Sequence, residues 1–154
     1  MRARWGSLPQ WARWVLALYL VGFAEGTGDH VVWMSHGGIH AYASSFPPVP
    51  VQAFLVGLVV LDPLAVVLTG LARHAGVWLA VGIMAIDMPV NWYWNWSRIT
   101  AEPGRLLVTA PWTITIFGLF VFATAPALLR LMRRVRFDRP ASVADIANIT
   151  DIAD

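Results

Sequence analysis

Four apolar stretches, near residues 14–34, 51–72, 76–95 and 108–130, constrain this chain more than any other feature. Each runs about 20 residues, enough for about 30 Å of helix, and a segment that crosses hydrocarbon has to satisfy its own backbone hydrogen bonds. The composition agrees. With 154 residues, 58% of them hydrophobic and 13% charged, and a mean hydropathy of +0.60, the chain is too apolar for an ordinary soluble domain. The sequence predicts an all-α, polytopic integral membrane protein: a four-helix transmembrane bundle over 14–130, preceded by a cytoplasmic segment at 1–13 and followed by a cytoplasmic basic collar and short tail at 131–154.

Arginine sets the orientation, because the chain has no lysine. Arg2, Arg4, Arg13, Arg73, Arg130, Arg133, Arg134, Arg136 and Arg139 fall on one side of such a bundle, and only Arg98 and Arg105 on the other. The positive-inside rule then puts both termini in the cytoplasm, a parity that four spans satisfy. The first stretch is too long, and has no convincing small-x-small site, to read as a cleavable signal peptide. Trp5, Trp11 and Trp14 suit an inner aromatic belt, and Trp92, Tyr93, Trp94 and Trp96 an outer one. The basic balance reflects membrane orientation and implies no nucleic-acid partner. Lysine-free, Ala- and Arg-rich usage suits the inner membrane of a bacterium. Without cysteine there is no disulfide framework, thiol nucleophile or zinc-thiolate site.

Carboxylic acids within the apolar stretches are the chemical signal. Glu25, Asp62 and Asp87 each lie about 11 residues, or about 16 Å, inside their stretch, so they can meet at one level of the bundle. Asp29 is one turn beyond Glu25, and Asn91 one turn beyond Asp87 with Pro89 between them. Asp62 precedes Pro63 at a position where a bend is expected. Acids at this depth are costly and mark functional sites by default, although buried polar contacts also serve simply to join helices. Four acids without a nearby cation cannot all ionise in a low dielectric, so shared or retained protons are expected, and a protonated carboxylic acid in an apolar cavity is a proton donor. His36 and His40 have the spacing of a helical metal pair, but Gly37 and Gly38 interrupt the helix that would present them; a further alternative, a metal or proton site, joins them to Glu25 and Asp29.

The acidic FAEGTGDH of the first stretch, the LDPL of the second, the GIMAIDMPVN of the third and a proline late in the fourth together resemble the EXPERA superfamily, the emopamil-binding-like four-span membrane proteins. The resemblance covers at most residues 14–130. It implies a lipophilic ligand held between helices and acids that donate or move a proton at an isoprenoid double bond. Small membrane-embedded terpene cyclases face the same physical problem.

The leading expectation is therefore a membrane-embedded binding protein or proton-transfer enzyme, of isomerase or cyclase type, acting on a hydrophobic isoprenoid or lipid-like molecule without a cofactor. Glu25 and Asp87 are the expected acid and base, Asp62 the group that tunes them, Asp29 and Asn91 orienting partners, and Trp33 and Trp92 cavity walls. The competing reading is a noncatalytic accessory subunit of a larger membrane complex, with the acids as interhelical glue and the outer tryptophans as a docking face; a homo-oligomer is the other assembly expected.

Overall fold

The structure, a computed structural model, describes residues 5–40, 49–109 and 111–137. These residues form four long helices and no strand: α1 (Gln10–Ser35), α2 (Val49–Gly70), α3 (His74–Ala101) and α4 (Trp112–Phe137). A 3-10 turn at Pro103–Arg105 and one helical turn at Leu106–Thr109 join α3 to α4. Helices α2, α3 and α4 contain stretches long and apolar enough to cross a membrane. At 26 residues, or about 39 Å, α1 has the length as well, but the polar run from Glu25 to His30 makes it less apolar.

Each helix buries a stripe at alternating three- and four-residue spacing, the period of helices packed side by side. On α1 it is Ala12, Leu16, Tyr19 and Phe23; on α2 Leu55, Leu58, Asp62, Ala65 and Thr69. On α3 it passes through Val77, Ala80, Ile83, Met84 and Asp87, and on α4 through Val121, Ala125 and Leu128. Asp62 and Asp87 thus occupy positions where the pattern otherwise places apolar side chains and one threonine, Thr69. The opposite faces expose Trp14, Leu18, Val60, Val67, Trp78, Ile116 and Leu119, an apolar outer surface that suits acyl chains.

Helices α2 and α3 form the antiparallel neighbouring pair that their short connection predicts. Ala72 takes a left-handed φ of 49°, and the amides of Ala72 and Arg73 bond back to Thr69 and Leu68 carbonyls at 2.8 and 3.0 Å. This is the double helix-ending bond usually built around glycine. Gly76 lets α3 leave the turn pressed against α2, since a Cβ there would stand 2.6 Å from the Thr69 backbone nitrogen. Tyr19 ties α1 to α4: its hydroxyl donates to the Val121 carbonyl at 2.9 Å and lies 3.0 Å from Thr124 Oγ1. Its ring and that of Phe23 meet Phe117 edge-on.

Four boundaries differ by four residues or more from the sequence expectation, and the first is the start of α1, at Gln10 rather than at 14. Helix α3 continues past 95 to Ala101, because no Gly or Pro intervenes before Pro103 and the polar groups bond back to their own helix, Asn95 Nδ2 to the Asn91 carbonyl and Thr100 Oγ1 to that of Trp96. Helix α4 begins at Trp112, after Pro111, rather than at 108. It then runs on through the basic collar to Phe137. Helix α2 passes through Pro63 without ending. The expected tail helix lies outside the described residues, as does most of the loop between α1 and α2.

Candidate active site

Toward the C-terminal ends of α1 and α3, the packed stripes continue but the helices part around a cavity of about 720 Å³. The α1 stripe runs on through Gly26, His30 and Trp33, and the α3 stripe through Asn91, Trp94 and Arg98; all six line the cavity. Helix α2 contributes Leu55 and Asp62, and α4 contributes Thr113, Ile114 and Phe117. The volume is that of a site for a drug-sized ligand. Its walls are mostly apolar and aromatic, with carboxyl groups converging on them.

All four acids anticipated from the sequence border this one cavity, in two different environments. Asp62 and Asp87 are buried, at 4% and 8% exposure. Glu25 and Asp29 are exposed members of the lining, so Glu25 does not share the buried position expected for the leading acid. Helix phase explains the difference. Relative to the stripe through Phe23 and His30, Glu25 and Asp29 are turned roughly 100–160° toward the flank of α1.

Each buried acid is held by a neighbour. Asn91 Nδ2 donates to Asp87 Oδ1 at 3.0 Å and to the Asp87 carbonyl at 3.0 Å, as the i, i+4 spacing predicts. Asp62 Oδ2 stands 3.6 Å from His30 Nε2. Gly26 makes room for it, since a Cβ at 26 would lie 2.7 Å from Asp62 Oδ2. His30 was not among the residues anticipated for the site; measured from Glu25 and Asp29 it points away, whereas measured from the apolar stripe it points inward.

Trp33 lines the cavity as expected, but Trp92 does not. Its indole N–H donates to Thr115 Oγ1 at 2.7 Å and its ring packs edge-on against Trp112, which makes it a brace between α3 and α4. Trp94 takes the wall position instead, because residue 94 is on the stripe seven residues from Asp87 and residue 92 is about 140° away from it. The metal alternative loses its premise. Helix α1 stops at Ser35, Gly38 turns the chain with a φ of 76°, and His36 Nδ1 lies 2.7 Å from the Val32 carbonyl. Among the described residues no three His, Asp or Glu side chains are grouped as a metal site requires.

Comparison with known proteins brings no family model, no curated protein and no solved structure that matches the chain. The chemistry of the cavity therefore carries the functional argument.

Proposed function

We propose that this chain is a four-span membrane protein, with α1 as the fourth span and both termini cytoplasmic, that holds a hydrophobic isoprenoid or lipid-like molecule and moves a proton on it. One observation carries the reading: two buried carboxyl groups, Asp62 and Asp87, open onto a single apolar and aromatic cavity. Interhelical glue needs no cavity beside it, and this favours a site over a scaffold.

The proton chemistry is assigned to Asp62 and Asp87, with Asn91 and His30 orienting them. One acid in its protonated form donates to an alkene carbon: a C–H bond forms, the π bond breaks, and the neighbouring carbon becomes cationic. The other, as carboxylate, removes a proton from the adjacent carbon, and the electron pair of that C–H bond re-forms a double bond one position along. No oxidant or cofactor is required. Phe117, Trp33 and Trp94 are in the lining, where aromatic rings can stabilise the passing cation. Glu25 and Asp29, on the exposed side, exchange protons with the surroundings, so that between turnovers the acceptor is discharged and the donor reloaded. The resemblance to emopamil-binding-like proteins points to the same ligand class, and the inner membrane of a bacterium is the proposed location.

The test is to extract the chain with its surrounding lipid in polymer-bounded discs and identify what copurifies by mass spectrometry. A stoichiometric isoprenoid or single-chain lipid, retained at lower occupancy on Phe117→Trp substitution, which narrows the cavity, is the expected result. A stoichiometric protein partner with no small molecule would replace this reading with the subunit one.

A further inference from the structure

The lining of the cavity is graded along α3. Asp87, Asn91, Trp94 and Arg98 lie on one stripe of that helix and all face the cavity, from a buried acid to an exposed guanidinium. Eleven residues separate the two ends, about 16 Å of helix. Helix α1 shows a shorter version of the same order, with Gly26 against Asp62, then Asp29 and His30, then Trp33 about 10 Å farther along than Gly26.

Arg98 is not accounted for by the acids of the site. It is too far from Asp87 to neutralise it, and among the described residues it forms no ion pair. Its place in the last turn of α3 suits the helix dipole, but any outward-facing arginine there would do the same. What distinguishes Arg98 is that it closes the stripe, next to Trp94, at the cavity rim. A guanidinium there offers a planar fork of donors to a phosphate or carboxylate.

We infer that the cavity takes a single-chain amphiphile with a phosphate or carboxylate head, the head on Arg98 and the chain running down past Trp94 toward Asp87. This deepens the proton-transfer reading and rests on it, since it specifies which kind of lipid-like molecule enters and which way round. Whichever of the buried Asp62 and Asp87 is ionised repels an anion from the deep part of the cavity, and Arg98 attracts it to the rim, so attraction and repulsion enforce one orientation. The end remote from the head is the part delivered to the buried acids.

The experiment is equilibrium binding of radiolabelled dodecyl phosphate to the full chain in a non-ionic detergent, in competition with dodecanol, dodecylamine and inorganic phosphate. Dodecyl phosphate should bind at least about tenfold more tightly than dodecanol, the contribution of a hydrogen bond to a charged group. Arg98→Gln should erase that preference and leave dodecanol affinity unchanged, while Arg98→Lys retains most of it. Inorganic phosphate should compete poorly; equal competition would mean a free-phosphate site and overturn the amphiphile. Equal binding of dodecanol and dodecyl phosphate, tighter binding of dodecylamine, or native affinity in Arg98→Gln would remove the anion subsite and leave the lipid cavity standing. If no 12-carbon probe binds saturably, the cavity reading and this inference fall together.

Discussion

The imidazole of His30 faces the carboxyl group of Asp62 across 3.6 Å, joining α1 to α2 at the edge of the cavity. A pair of this kind is best judged by removing both members. Replacing one takes this contact from the other, which stays largely buried, whereas replacing both leaves an apolar contact. His30→Leu and Asp62→Leu should each lower stability, and the double variant should be less destabilised than their sum, with a coupling of about 0.5–2 kcal/mol. Unfolding in mixed micelles measures the cycle. Strict additivity would mean that the two groups do not interact.

Gly26 and Gly28 separate close approach from helix propensity on the same helix. A Cβ at 26 meets Asp62 Oδ2, and one at 28 meets nothing within 4 Å. Gly26→Ala should therefore cost about 1–3 kcal/mol through overpacking. Gly28→Ala should be neutral or stabilising by up to about 1 kcal/mol. The same micelle assay checks both, and equal effects would contradict the described packing of α1 on α2.

The amide variants Asp62→Asn and Asp87→Asn address chemistry directly. An amide oxygen can still accept from Asn91 Nδ2, so Asp87→Asn keeps the hydrogen bond and the shape while losing the exchangeable carboxyl proton. Stability should change by less than about 1 kcal/mol, and turnover of the copurified ligand should fall by about a hundredfold or more. Full turnover in both variants would leave the acids as a polar scaffold.

The absence of cysteine makes topology simple to test. Ser7 and Thr100 are both exposed, at opposite ends of the bundle. With both termini inside, Thr100→Cys should react with a membrane-impermeant thiol reagent in intact cells, and Ser7→Cys only after permeabilisation. The reverse pattern would invert the orientation.

The helices were legible because apolar length and a short α2–α3 connection leave few alternatives. The acids were legible as well, since ionisable groups are rare in such stretches. Helix phase was the missing quantity. His30 and Trp94 are the next steps of stripes already visible at Tyr19 and Phe23 and at Ala80 and Met84, and following that three- and four-residue spacing separates Trp94 from Trp92 and His30 from Glu25. Arg98 was hidden by a boundary: placed in a loop, it had no face. The cavity itself had no signature in the sequence, because the spacing that packs the helices together in one half of the bundle is the spacing that lines the opening in the other.

The missing side chain at Gly26 also has a consequence over evolutionary time. Positions 26 and 62 share one volume, so the acid at 62 favours glycine at 26, and a larger residue at 26 favours a shorter or displaced side chain at 62. Among descendants of this sequence the two positions should change as a pair, and lineages that lose the acid should be those in which the glycine drifts.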